Sequence, residues 1–424
     1  METVQVESPQ AIADIGVSKS LIEDLAVKTL FMGGEMSLAD LSTGMCLSLP
    51  IIEEVFQFLR REQLCEVKGM ARGTHVITLS GIGKRRAGEL LSFSLYSGPA
   101  PVSLEEYTQR VRAQSVQKAR IQPADLTRAF EKLVLSDDLL TRLGTAVVSG
   151  TSIFLYGPSG TGKTTLACNI PTIFDDFVLI PHAIEVDHQI IAVYDPGVHR
   201  TAEWEIPDDW DRRWILCHRP RVITGGEFAS EMLDLQFNAS SRLLTAPLQL
   251  KANNGVLVLD DFGRQRMRPE ELLNRWMTPL DRRIDFLTLP GGKKFEIPFD
   301  VLVVFSTNLD PRSLADDAFL RRVPNKINVD YATREQFVEI FMKECIAKSL
   351  ACEEDLAEYL VRLITIEMKH PLSHCVARDL INQVRWSANY RGVEPLLTQS
   401  SLQRACHDYF LSVAAGPSGP PPSE

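Results

Sequence analysis

The chain has 424 residues, enough for two or three domains, and its 45% hydrophobic and 24% charged content is ordinary for a globular protein. A formal net charge of −10 argues against a surface coated in basic residues for nonspecific nucleic-acid binding. Eight cysteines without a CxxC pair give no zinc pattern and suit reduced thiols. No apolar run reaches membrane-spanning length, and the opening METVQVESPQ lacks the regions of a signal peptide, so a cytoplasmic protein without membrane insertion is expected.

Residues 1–17 read as a flexible N-terminus. Residues 18–96 form a first unit: SKSLIEDLAVKTLFMGG has helical spacing and ends on Gly33-Gly34, SLADLSTGM is a second helix with Ser37 as N-cap, and SLPIIEEVFQFLRREQ a third, capped by Ser48 with Pro50 in its first turn. LCEVKG and THVITLS read as two strands around GMARG, and IGKRRAGELL as a closing helix. Three helices followed by a hairpin resemble a winged helix. Glu53 and Glu54 open its third helix while Arg60 and Arg61 come only at the end, the reverse of what a DNA reader needs, so protein contact is favoured over DNA. Residues 97–119, starting at SGPAPVS, read as a linker with a polar lead-in. Alternating strand and helix signals mark an α/β core over 120–330. Residues 331–414 are helical throughout, a small lid, and 415–424, ending GPPPSE, read as a disordered tail.

The core holds two stretches that explain each other. SIFLYGPSGTGKTTLACNI places Gly157, Pro158, Ser159, Gly160, Thr161, Gly162, Lys163 and Thr164 between a strand and a helix, a full G-x-x-x-x-G-K-[ST] match, with Thr165 completing the nucleotide-binding set. Its glycines let main-chain N–H groups converge on phosphates, Lys163 reaches the β- and γ-phosphates, and the Thr164 hydroxyl ligates Mg²⁺. VLVLDDFGR, Val256 to Arg264, is a buried strand ending on Asp260 and Asp261. Adjacent carboxylates repel and need a cation, which a metal–nucleotide complex supplies. Asp260 is read as the metal carboxylate and Asp261 as the group orienting the attacking water.

VLVVFSTNLDP ends a further buried strand on Asn308. DDAFLRRVPNKI carries Arg321 and Arg322, and CVARDLINQVRWSANY places Arg378 in the lid. In this order the motifs resemble sensor 1, the arginine finger and sensor 2 of the AAA+ ATPases, over about residues 120–414. The resemblance implies an α/β P-loop fold with a parallel sheet of order 5-1-4-3-2 and an α-helical lid, ATP and Mg²⁺ as cofactors, and a ring, expected as a hexamer. It assigns Asn308 to positioning water, Arg322 (Arg321 being the alternative) to a neighbour's γ-phosphate, and Arg378 to nucleotide contact from the lid.

Two features depart from the common AAA+ pattern. Asp261 stands where most members have Glu, and about 97 residues separate Lys163 from Asp260, implying an insertion at about 181–250. Within it, Trp204, Trp210 and Trp214 are read as tucked-in core rather than a contact surface. RIDFLTLPGGKKFEIPFD reads as a hairpin with a basic tip, Lys293 and Lys294, resembling the pre-sensor-1 hairpin of MoxR-type chaperones, magnesium chelatases and enhancer-binding activators. The function implied is ATP hydrolysis at ring interfaces coupled to remodelling or assembly of a macromolecular partner, with a protein partner met through the N-terminal unit or the hairpin tip favoured over DNA. A nucleotide-gated DNA-binding regulator with slow turnover is the alternative.

Overall fold

The computed structural model describes residues 6–410 apart from positions 72, 208 and 315. The expected tail over 415–424, and the last residues of the lid, lie outside these. Of the expected flexible N-terminus, residues 1–5 lie outside the described residues, and residues 6–17 are corrected by packing. Val6, Ile12 and Ile15 are buried, the Ser8 N–H donates to the Asp209 carbonyl at 2.8 Å, and the Asp211 N–H to the Val6 carbonyl at 2.9 Å. A stretch too short to show periodicity is held by contacts some 200 residues away.

Helix α1 (Lys19–Gly33) starts at Ser18, whose hydroxyl accepts the Leu21 N–H, and stops at Gly34 with φ of 76°. After β1 (Met36–Ser37), Ser37 caps α2 (Leu38–Met45) reciprocally with Asp40. Helix α3 (Leu49–Arg61) has Pro50 in its first turn, but Ser48 does not cap it. The Ser48 hydroxyl donates to the Pro9 carbonyl at 2.8 Å, because the N-terminal segment packs there. Strands β2 (Cys65–Ala71) and β3 (Thr74–Leu79) form the expected hairpin, with β1 on the other side of β3, and α4 (Gly81–Phe93) closes the unit. Ile22, Leu25, Leu41, Ile51 and Val55 fill its core.

The stretch read as a linker is ordered into the body. Val102 is fully buried in β4 (Val102–Ser103), which pairs with β7 (Ala183–Val186), and α5 (Leu104–Ala113) packs behind it. Helices α6 (Pro123–Phe130) and α7 (Asp137–Val148) lead into β5 (Ile153–Tyr156) and α8 (Lys163–Asn169). With β10 (Arg221–Thr224), β13 (Gly255–Leu259), β16 (Val301–Thr307) and β17 (Asn325–Asn328), β5 builds a five-stranded sheet in the order β10-β13-β16-β5-β17, parallel at every pairing. Numbered among themselves, these strands run 5-1-4-3-2. Every residue of β13 and β16 is buried, which is why both read as unbroken apolar runs.

Strand β10 falls inside the expected insertion, so that boundary is corrected: Arg221–Thr224 is an edge strand of the central sheet. The rest of the stretch forms other sheets. β6 (Phe177–Pro181) pairs with β9 (Trp214–His218), while β8 (Gln189–Ala192), β11 (Gln236–Asn238) and β12 (Leu243–Thr245) join β7 and β4. Trp210 and Trp214 are buried, and Trp204 packs edge-on against Trp210 at 4.9 Å, core as read from the sequence. A buried ion cluster ties this region to the N-terminus. The Arg213 guanidinium binds both Asp211 oxygens, reaches Glu106 at 3.3 Å, and donates to the Ile15 carbonyl at 2.9 Å.

Beyond α9 (Leu248–Lys251) and α10 (Pro269–Arg282), strands β14 (Ile284–Thr288) and β15 (Lys294–Pro298) form the expected hairpin. At its tip Lys293 is ion-paired with Asp187 at 2.6 Å, across the surface. Lys294 is exposed and has no ion pair among the described residues. Short helices α11 (Pro311–Leu314) and α12 (Asp317–Leu320) precede β17. Helices α13 (Arg334–Ala347), α14 (Glu354–Arg362), α15 (His374–Arg391) and α16 (Gln399–Tyr409) pack around Phe337, Phe341, Leu360, Leu380 and Leu402 into the helical unit read from the sequence as the lid.

Candidate functional site

The loop between β5 and α8 can exist only with glycine at its first position. Gly157 has φ of 141°, and a Cβ there would lie 2.3 Å from the Val329 carbonyl oxygen. Gly160 and Gly162 also hold positive φ, 80° and 85°. The turn leaves the main-chain N–H groups of residues 159–163 without an acceptor among the described residues, at the N-terminus of α8. Successive unpaired N–H donors at a helix start form an anion cradle, and the helix dipole reinforces it.

Lys163 is buried, its ammonium donating to the Pro158 carbonyl at 2.5 Å and to the Thr161 hydroxyl at 3.4 Å. Burial holds its pKa below the usual lysine range, opposed by Asp260 and Asp261. A cation kept this dry gains strongly from an entering anion. Thr161 is fully buried and donates to the same Pro158 carbonyl, while Ser159 and Thr165 are exposed.

The acidic side of the site comes from the tip of β13. The Thr164 hydroxyl donates to Asp260 Oδ1 at 3.0 Å, across 96 residues of chain. Asp261 takes a left-handed backbone, φ 49°, which turns the chain sharply beyond Asp260. Asn308, just past β16, donates to Asp261 Oδ1 at 3.4 Å. Thus Lys163, Thr164, Asp260, Asp261 and Asn308, read separately from the sequence, meet at the same ends of three adjacent strands.

Arg321 and Arg322 do not join them. They follow α12 and line a cavity of about 590 Å³ with Thr151, Ser152 and Arg283. That cavity lies where β5 begins, whereas the cradle lies where it ends, with the four-residue strand, at ~3.3 Å per residue, between them. Arg322 donates to the Ala318 carbonyl at 2.6 Å, and its buried Nε has no partner among the described residues. Arg378, in α15, is exposed and paired with Asp379 at 3.0 Å.

Sequence reasoning missed three neighbours of the site. The Thr224 carbonyl accepts the Asp260 N–H at 2.9 Å, and its hydroxyl donates to Glu227. The Gly225 N–H donates to the same carboxylate and holds Glu227 below the usual range. Gln265 braces the turn after β13 by donating to the Asp260 carbonyl at 2.9 Å. Finally, the first turn of α15 lies on the glycine loop: the Cys375 N–H donates to the Gly160 carbonyl at 3.2 Å, and His374 Nδ1 lies 3.4 Å from where a Gly162 Cβ would be. Burial pushes the His374 pKa down. A strand-tip threonine offered a weak signal. The lid contacts offered none, since no spacing links residues more than 200 positions apart.

A family model described as "Domain of unknown function (DUF8689)" matches residues 333–408, the lid. No curated protein matches the chain. Among solved structures, NtrX from Brucella abortus in complex with ADP is 16% identical, with a TM-score of 0.39 over 65% of this chain and 56% of that one. The Thermotoga maritima RuvB Holliday junction branch migration motor is 15% identical, with a TM-score of 0.38 over 64% of this chain and 69% of that one. The chain thus spans just over half the length of the NtrX chain. No helix among the described residues is long and apolar enough to cross a membrane.

Proposed function

We propose that the chain is a Mg²⁺-dependent ATPase of the AAA+ type that works as a ring and couples hydrolysis to remodelling a protein partner in the cytoplasm. The observation that carries this reading is the Thr164–Asp260 contact at the mouth of a cradle with unpaired N–H donors and a buried lysine. A hydroxyl and a carboxylate 3.0 Å apart are the hard oxygen donors that Mg²⁺ prefers, so Thr164 and Asp260 would hold the metal. Bound there with ATP, it would neutralise charge on the phosphates. Residues 157–165 would bind the phosphates, with Lys163 as their side-chain counterion. Asp261, fixed by its left-handed backbone and by Asn308, would orient water, and Arg378 would swing from Asp379 to the nucleotide.

The sheet order 5-1-4-3-2 is the one the AAA+ resemblance implies, and the lid follows it directly. Arginines at the far ends of the strands serve no purpose at the chain's own cradle, which supports Arg322, or Arg321, acting on a neighbour's γ-phosphate. The hairpin β14–β15, immediately before β16, supports the pre-sensor-1 type. For the N-terminal unit, helices α1–α3 followed by β2–β3 support a winged helix. Its charges are partly spent internally, Lys19 on Glu54 and Lys68 on Glu66, which favours a protein partner over DNA. Calorimetric titration with MgATP tests the core of this reading. Wild type should bind, and Lys163→Ala should lose binding at least tenfold. Equal affinities would overturn the assignment of Lys163.

A further inference from the structure

Helix α15 begins without the usual help at its end. Its N-cap, Ser373, makes no side-chain cap, so the first N–H groups of this 18-residue helix need acceptors elsewhere. One finds an acceptor in the glycine loop: the Cys375 N–H donates to the Gly160 carbonyl at 3.2 Å. The approach is tight. A Cβ on Gly160 would lie 2.8 Å from Cys375 Sγ and 3.3 Å from Ser373 Cβ, so only glycine lets helix and loop meet here.

A peptide unit is planar and trans, so its C=O and N–H point in opposite directions. With the Gly160 carbonyl held toward α15, the Thr161 N–H must point away from the helix. That N–H is one of the cradle donors without an acceptor among the described residues. We propose that the first turn of α15 is a positioning element for the phosphate cradle, in which the Cys375 N–H fixes the Gly160–Thr161 peptide so that the Thr161 N–H faces the bound phosphates. This rests on the nucleotide-binding reading above. It makes the lid part of the phosphate site through its main chain, and the thiol of Cys375 is incidental to it.

Two substitutions in the full-length chain separate main chain from side chain. Cys375→Pro deletes the N–H at a first-turn position where no intrahelical bond is lost, and Cys375→Ala keeps it. Titrated with MgADP, Cys375→Pro should bind at least tenfold more weakly and Cys375→Ala within twofold of wild type. Inorganic pyrophosphate should show the same loss in Cys375→Pro, because the cradle meets only phosphate. Wild-type affinity in Cys375→Pro, or an equal loss in Cys375→Ala, would overturn the proposal. If Cys375→Pro fails to fold, hydrogen exchange at the Cys375 amide of the nucleotide-free wild type decides: protection supports the bond, and free exchange overturns it. Failure of wild type to bind MgADP at all would instead remove the nucleotide reading. Binding lost in Lys163→Ala but kept in Cys375→Pro would remove only this inference.

Discussion

Arg213→Leu should unfold the chain more readily than any surface change, because it strands a buried acid. The Arg213 side chain is 2% exposed and its partner Asp211 1%. Its guanidinium donates to Asp211 from Nε at 3.1 Å to both oxygens and from Nη2 at 2.8 Å, and Nη1 ties down the Ile15 carbonyl at 2.9 Å. Removing one partner of a buried pair costs about 3–5 kcal/mol, since the remaining charge has neither water nor counterion. The loss should be read as a lowered urea midpoint of the full chain. Replacing both residues, Arg213→Leu with Asp211→Leu, should recover most of the loss, because the desolvated charge goes with its partner. Residues 6–15 should also become sensitive to protease in the single variant, having lost their anchor on Ile15. A loss below about 1 kcal/mol, with no recovery in the double variant, would refute the reasoning that this cluster locks the N-terminal segment to the β9 region.

Two further outcomes follow. Arg322→Ala should keep MgATP binding and lose most hydrolysis, since a finger arginine contributes about 10³–10⁵ in rate in well-studied NTPases; mixing it with Asp261→Asn should restore some turnover if sites are shared, and no recovery between exchanging subunits would count against sharing. Burial pushes His182 from 6.5 down to about 4, so the unfolded chain takes up a proton that the folded chain refuses. Its contribution is intact above pH 6.5 and is lost as pH falls toward 4, by roughly 2–3 kcal/mol. His182→Asn should therefore show a flatter stability profile over that window, and an unchanged slope would contradict the assignment.

The cradle and the Asp260–Asp261 tip were legible because their chemistry is local. Each is a contiguous run whose strand, turn and helix signals sit side by side, and the structure joins them at Thr164 and Asp260. The elements of the N-terminal unit were legible for the same reason, with the cap at Ser37 but not the one read at Ser48. What failed was whatever depends on a distant partner. Ile12 and Ile15 look like stray apolar residues until the core of the N-terminal unit takes them in and Arg213 holds the Ile15 carbonyl, and Val102 looks like linker until β7 pairs with β4. Strand β10 resembles the other short strands around it; only pairing with β13 marks it as part of the central sheet. Lys293 reads as a free charge because Asp187 lies 106 residues away.

Steady-state release of phosphate from MgATP by wild type and Asp261→Asn, with nucleotide binding measured on the same samples, tests the ATPase reading most directly. Wild type should turn over, and Asp261→Asn should retain binding with at least a hundredfold slower release, because Asp260 and Thr164 would still hold the metal while the water would lose its orienting carboxylate. Equal turnover in the two proteins, or none in wild type under conditions where it binds MgATP, would contradict it.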